Sequence, residues 1–516
     1  MTTGSEYSTE VPYLRTFTND MSPPLLRLVA ALNGVKPPPA LDFDYCEVGC
    51  GNGDGVATFA AANPDSRFVG IDLNPEHIHF AQSLALKGGL VNASFLERDF
   101  EKILSDDVPQ FHYICAHGLL SWVSQAKRKA FVEVCARKLA PGGLLYVGYN
   151  ALPGWAALSP LRRLIQDGAS TVNGDALEKA GRGLALAKVL RDAGTGYFES
   201  NPIAKQMVDT MAKVGLPYVV HEYLQPHWHP MYFADVAREM EESDLHFVGQ
   251  LPLHLNYRNL SLGAVLVELT KDVTDRLVYE SLKDFALNEL FRRDVYVKGP
   301  VMRTDSMARD YLNENLFGSF RTHDRAKRQL PLPFTTLDLT GPVYDALISA
   351  LGERTSTVSE LLRMPALHGV SAEQLRESLL YLLMADMAFP MREPSRPAGT
   401  ADSGVHRFVL PYNRMVVKQR LTTKTPTVLA VPAAGAGLPI SMIEAVCLRM
   451  VTEVEEAARP AWIRSFVARQ PLKLFVRDRP VETAEEQCAV LEAELSSFCE
   501  RRLPKLRELN ILERAA

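Results

Sequence analysis

A carboxylate and four glycines fall together in Glu47-Val48-Gly49-Cys50-Gly51-Asn52-Gly53-Asp54-Gly55, at the end of the short apolar run Tyr45 to Val48. Glycine lets a backbone take positive φ and approach a ligand closely. The stretch Val56 to Ala62 that follows reads as a helix, whose N-terminus favours a negative group. Strand, glycine loop and helix in that order describe a nucleotide-type cofactor loop at the first turn of an α/β sheet. The Gly-x-Gly-x-x-Gly register of a dinucleotide site fails, because its third glycine would be Asp54 counted from Gly49 and Val56 counted from Gly51. No Gly-Lys-Ser or Gly-Lys-Thr closes the loop, so a triphosphate cradle is excluded too.

Further polar residues recur at the ends of later apolar runs. Asp72 and Leu73 follow Arg67 to Ile71, Asp99 and Phe100 follow Ala93 to Glu97, and His117 follows Phe111 to Cys115. Tyr149 and Asn150 close Leu144 to Tyr149. A carboxylate at Asp72 can accept two hydrogen bonds from ribose hydroxyls. His117 is placed to touch a cofactor or take a proton, and equally to be a satisfied structural histidine.

The elements that must position these residues follow from the spacing. Helical patterns over Gly55–Ala62, Glu76–Gly88 and Ser124–Leu139 alternate with the strands, as a parallel sheet requires. Leu139-Ala140-Pro141-Gly142-Gly143 reads as a turn into strand five. After Trp155 the rhythm stops, and 156–230 read as a helical insert. The sheet resumes with a helix over Tyr232 to Ser243 and strands over His246–Leu253 and Gly263–Thr270, expected as a terminal hairpin-like pair. Residues 273–325 read as a charged helical segment. The helices Val343–Leu351, Val358–Leu362 and Ala372–Met384, with a β-like Met387–Met391, suggest a winged-helix-like unit for docking rather than for reading DNA. Residues 436–516 read as mainly helical.

Composition bounds the function class. A chain of 516 residues, 47% hydrophobic and 23% charged, is an ordinary globular protein of about two to four domains. Its net charge of -5 gives no global attraction to nucleic acid or anionic lipid. The seven cysteines are scattered without a Cys-x-x-Cys pair, so neither a metal site nor a disulfide framework is expected. No signal peptide or membrane span is legible, and a cytoplasmic protein without membrane insertion is expected.

Glu47-x-Gly49-x-Gly51-x-Gly53 resembles the loop of class I S-adenosylmethionine-dependent methyltransferases. The resemblance implies that Glu47, Gly49, Cys50, Gly51 and Gly53 surround the methionine part and ribose of S-adenosyl-L-methionine. Asp72 and Leu73 then lie at the ribose, with Asp99, Phe100 and His117 towards the adenine and the methyl group. Ile114 to Val123 and Tyr149-Asn150-Ala151-Leu152-Pro153-Gly154-Trp155 are similar to signatures of methyltransferases that carry a methyltransferase regulatory domain, a family that includes rickettsial protein-lysine methyltransferases. The arm Val11-Pro12-Tyr13 to Phe17 and the run Phe291-Arg292-Arg293 are also similar to that family. Two places depart from it: Ala151-Leu152 replaces a Thr-Tyr pair, and the arm ends in Asn19-Asp20-Met21-Ser22-Pro23.

What the resemblance implies is an α/β protein with a Rossmann-like seven-stranded class I methyltransferase sheet, a helical insert and mainly α, winged-helix-like C-terminal domains. The expected division is an aromatic arm or lid over 1–40 and a methyltransferase domain over 41–271 with its insert at 156–230. A regulatory middle segment over 272–328, a winged-helix-like domain over 329–395 and a helical domain over 396–516 follow. The acceptor implied is a lysine of a protein substrate, with Tyr149, Asn150, His117, Tyr13 and Trp155 as lining residues and no nucleic-acid partner; a homodimer is compatible. Trp122 and Trp155 either frame that pocket or pack the insert. A small-molecule N- or O-methyltransferase and a non-catalytic cofactor-binding scaffold are the alternatives.

Overall fold

The computed structural model describes Val11 and residues 15–105, 108–322, 325–394, 404–420, 427–469, 475–476 and 479–515. Tyr13 lies outside the described residues. Seven strands form one sheet in the order β3-β2-β1-β4-β5-β7-β6. They are β1 (Asp44–Val48), β2 (Arg67–Asp72), β3 (Ala93–Glu97), β4 (Phe111–His117), β5 (Leu139–Asn150), β6 (Leu245–Gln250) and β7 (Phe291–Lys298). The first five run parallel, and β7 is antiparallel to both of its neighbours. All five residues of β1 are buried, as a strand covered on both faces requires.

The crossover helices are α2 (Asp54–Ala62), α3 (Pro75–Gly88) and α4 (Gln125–Lys138), preceded by α1 (Pro23–Leu32). Asn74 caps α3 by accepting from Glu76 N–H, with Pro75 in its first turn and Gly89 at φ +68 ending it. The insert is five helices, α5 (Ser159–Ala169), α6 (Ala176–Asp192), α7 (Gly196–Ser200), α8 (Pro202–Val214) and α9 (Leu216–Tyr223), around their own apolar core of Leu161, Ile165, Phe198, Met211 and Tyr223. Helix α10 (Phe233–Glu241) then returns the chain to the sheet.

The last strand is not where the sequence pattern puts it. Gly263–Thr270 contains a short helix, Ala264–Leu269, and Val265 and Leu269 are exposed, so this apolar run imitates a strand without entering the sheet. The seventh strand is β7, inside the stretch read as helical, which carries the sheet past residue 271. Its charges hide it: Arg292 is fully buried and pairs with Glu280 at 3.0 Å, Asp284 at 2.5 Å and Asp294 at 2.9 Å. Glu280 and Asp284 lie on the helix Arg276–Leu287, so the ion network bolts that helix to the strand. Leu139 to Gly143 likewise forms the irregular opening of β5 rather than a separate turn, with Gly142 at φ +75.

Beyond the sheet, helices Pro342–Glu353, Val358–Leu362 and Ala372–Met384 precede the strand Phe389–Met391, which pairs with Leu316–Gly318. A hairpin of Thr427–Val431 and Ala436–Ile440, absent from the sequence reading, packs with the helix Pro411–Arg420 onto α2 and α3. Among the described residues no helix is long and apolar enough to cross a membrane.

Replacing Arg292 with Met leaves Asp284 and Asp294 buried without their cation while Glu280 keeps Lys283 and Arg276, so unfolding in urea should lose about 3–5 kcal/mol. A loss below about 1 kcal/mol, the size of an exposed pair, would contradict the bolting role.

Candidate functional site

The carboxyl ends of β1 to β5 meet where the strand order reverses between β1 and β4, the place at which open α/β sheets bind ligands. The glycine loop leaves β1 here with Gly49, Gly51 and Gly53 at φ +75, +52 and +72. Gly49 N–H and Cys50 N–H both donate to Ile71 O, at 2.8 and 3.0 Å. Gly51 N–H donates to Asp72 Oδ2 at 2.8 Å, while Asp72 Oδ1 accepts from Asn74 N–H at 2.9 Å. Asp72 therefore ties the loop to the start of α3 as well as facing the site.

The glycines have distinct reasons. A side chain at Gly51 would meet nothing within 4 Å, and at Gly49 only Leu119 at 3.7 Å, so both present open backbone. A Cβ at Gly53 would stand 2.6 Å from both Ala81 and Phe95, so packing as well as φ excludes one there. Gly55 lets Glu47 pass, since its Cβ would lie 3.1 Å from Glu47 Oε2.

Glu47 is buried, and its Oε2 has no hydrogen-bond partner. Burial, with Asp72 and Asp54 adding to it, pushes its carboxyl up to about 8. A buried acceptor left unmet at a ligand site is the complement of a cationic group. The amino group of S-adenosylmethionine meets that requirement, the open glycines suit its chain and ribose, and the residues present fit the cofactor.

At the end of β2, Leu73 is 48% exposed and offers an apolar face. One expectation at β3 needs correction. Asp99 accepts from Lys127 Nζ at 2.5 Å and Glu101 N–H at 3.3 Å, which ties it to the local turn and α4. Phe100 is buried edge-on against Phe131, with ring centres 5.9 Å apart, and belongs to the core. Cys50 is buried too, and burial raises its thiol well above the usual range, which keeps it protonated.

His117 ends β4 with its ring still solvent-accessible, its Nδ1 2.9 Å from the Tyr146 hydroxyl and its ring 5.1 Å from that of Phe291. Gly148 makes this possible, since a Cβ there would stand 2.8 Å from Nδ1. Although the residue reaches solvent, desolvation by the protein packed around it lowers His117 from its ordinary value; Asp20 opposes the shift and Arg293 reinforces it. It is neutral near pH 7 and positions rather than holds a proton. Tyr146, which orients it, carries no motif signal because it lies mid-strand in an apolar run.

Of the acceptor-lining candidates, Asn150 is buried with its side-chain Nδ2 unpartnered, and its backbone N–H donates to Ser121 Oγ at 2.8 Å. Tyr149 is a correction: strand alternation turns it to the opposite face, where its hydroxyl donates to Asp294 at 2.7 Å and the whole side chain is buried. Trp155 is also corrected. It packs in the insert core against Trp228, with ring centres 5.4 Å apart, and against Tyr223.

The arm segment from Arg15 crosses this end of the sheet. Arg15 Nε donates to Asp54 Oδ2 at 2.9 Å at the N-terminus of α2, and Asp20 pairs with Arg293 at 2.6 Å beside Gly148 on β5. Asn19 exchanges hydrogen bonds with Gly437 of the C-terminal hairpin at 2.8 and 3.0 Å. The arm is thus held between the site and the C-terminal region.

Comparison with known proteins agrees with this geometry. Residues 46–143 match the methyltransferase domain family and 216–298 the predicted methyltransferase regulatory domain family, the second match taking in β6 and β7 of the sheet. An uncharacterized protein of Synechocystis sp. is 29% identical over 99% of this chain and 100% of its own length. An uncharacterized protein of Rickettsia prowazekii is 28% identical over 55% of this chain and 51% of its own length. The structure of PKMT2 from Rickettsia typhi in complex with AdoHcy superposes with a TM-score of 0.73 at 18% identity, covering 97% of this chain and 100% of that one.

The unmet Glu47 acceptor generates a pH dependence. A cation beside it stabilises the carboxylate, so cofactor binding below pH 8 must expel the proton that burial retains. Affinity for S-adenosylhomocysteine, which keeps the amino group, should rise with pH and level off above about 8. Calorimetry at pH 7 in buffers of different ionisation enthalpy should record release of about one proton, and Glu47→Gln should release none. Equal proton release in both would contradict the assignment.

With the strand order, the glycine loop and two domain models in agreement, the chain is an S-adenosylmethionine-dependent methyltransferase that carries a methyltransferase regulatory domain.

Proposed function

We propose that this methyltransferase acts on lysine side chains of a protein substrate. The observation that carries the reading is the likeness of fold to Rickettsia typhi PKMT2 along nearly the whole chain, insert and C-terminal half included. The Tyr149 to Trp155 resemblance supports it from the sequence side.

When bound, the cofactor supplies a sulfonium methyl group open to in-line attack by a neutral amine. The chain's contribution is to hold the partners and exclude water. Asp72 fixes the loop and Glu47 meets the cofactor's amino group. Neutral His117 offers hydrogen-bonding nitrogen without a charge that would repel an ammonium product. Asn150 brings an unpartnered amide to the acceptor end of β5, and the arm from Arg15 to Asp20 bridges the N-terminus of α2 and Arg293 on β7. His117 takes no proton in this scheme, so the amine arrives having lost its own to solvent.

Incubation with isotopically labelled cofactor and cell extract, followed by peptide mapping, should place label on lysine. Label confined to small molecules or RNA would contradict the reading. Asn150→Ala should lower kcat/KM about 10- to 100-fold while leaving S-adenosylhomocysteine affinity unchanged; weakened cofactor affinity with unchanged kcat would instead place Asn150 at the cofactor.

A further inference from the structure

Two arginines without acidic partners among the described residues sit with two histidines beside the acceptor end of the sheet. Arg128 lies in the first turn of α4, Arg162 on α5, and His227 and His229 in the loop before α10. Hydrogen bonds dock this loop on the site: His229 N–H donates to Ser121 O at 2.9 Å, and Met231 N–H donates to Asn150 O at 3.0 Å. The same Ser121 accepts the Asn150 N–H through its hydroxyl.

The donors here are unmet. Arg128 Nε and Nη1 are buried with no hydrogen-bond partner, and among the described residues no carboxylate pairs with Arg128. Arg162 lies over the Trp228 ring, 5.0 Å from its centre, and gives one N–H to Gln225 O at 2.5 Å, but its Nε is buried and unpartnered. The Trp228 indole N–H is likewise buried and unpartnered. The His227 and His229 rings stack at 6.1 Å, and His229 is lowered by burial and then by Arg128, His227 and Arg162. Arg128 and Arg162 thus both act on His229, which follows Trp228 in the chain.

Two guanidinium groups and an indole N–H, each with a buried unmet donor and linked through the Trp228-His229 stretch, are the complement of an oxyanion, and the guanidinium fork matches a carboxylate in particular. Arg292, by contrast, is matched by three carboxylates. We propose that Arg128, Arg162 and Trp228 form a carboxylate-recognition subsite that takes an acidic side chain of the protein substrate near the acceptor lysine. This rests on the lysine reading above and adds to it a sequence preference: lysines flanked by glutamate or aspartate are the favoured acceptors.

The full-length protein saturated with S-adenosylhomocysteine is titrated with fluorescent peptides carrying norleucine in place of the acceptor lysine, flanked either by glutamates or by glutamines. The glutamate peptide should bind about fivefold or more tightly than its glutamine twin, with the gap narrowing as salt rises. Arg128→Gln should erase the difference and Arg128→Lys recover part of it, with melting temperatures compared to confirm folding. Lysine-bearing versions supplied with S-adenosylmethionine should then show the same preference in KM rather than kcat. Equal binding of the twins, or a full preference in Arg128→Gln, overturns the subsite and leaves the lysine reading standing. Selective binding of the glutamate peptide with no methylation of its lysine form overturns the lysine reading and keeps the subsite.

Discussion

The hydrogen bonds that Asp72 accepts from Gly51 N–H and Asn74 N–H join the first turn of the sheet to the second. Bonds of this kind to a charged acceptor contribute about 1.5–3 kcal/mol each. Their larger effect is geometric. They hold three successive left-handed glycines in one arrangement, and this arrangement leaves room for the Glu47 carboxylate to pass Gly55 into the site. Asp72 and the orphaned Glu47 carboxyl behind the loop are therefore one device, in which the first builds the frame and the second supplies an unmet acceptor.

The C-terminal half bears on the same frame. Thr58 on α2 shares a hydrogen bond of 2.9 Å with the Tyr412 hydroxyl, and Asn63 after α2 donates to Gly435 O at 3.1 Å and accepts from Arg392 at 2.5 Å. Asp54, at the other end of α2, is held by Arg15 of the arm. The helix that begins at the cofactor loop is thus gripped along its length by segments far away in sequence. A close-packed interface resists deformation, so these contacts fix the helix on which the loop ends.

Much of this was legible in the sequence because parallel strands and glycine turns leave strong local signals. The first five strands, the crossover helices, the glycine loop and the strand-end positions of Asp72, His117 and Asn150 all follow from pattern and spacing. What escaped did so for physical reasons. β7 was hidden by Arg292 and Asp294, charged residues that a strand tolerates in the core only because Glu280 and Asp284 complete the network from a helix. Tyr149 and Asn150 are neighbours in sequence but face opposite sides of the sheet, so a motif containing both could not tell which one reaches the site. Asp99 read as a free strand-end carboxylate because Lys127, its partner, lies on the next helix. The unpartnered donors of Arg128, Arg162 and Trp228 come from three separate elements, so no local pattern in the sequence marks them.

The most direct test of the account is a crystal structure of the protein with S-adenosylhomocysteine. The account requires the ligand's amino group within hydrogen-bonding distance of Glu47 Oε2, its ribose beside Asp72, and its sulfur facing the side of the sheet that carries His117 and Asn150. A ligand whose amino group turns away from Glu47, or whose sulfur faces the side occupied by Tyr149, would contradict it.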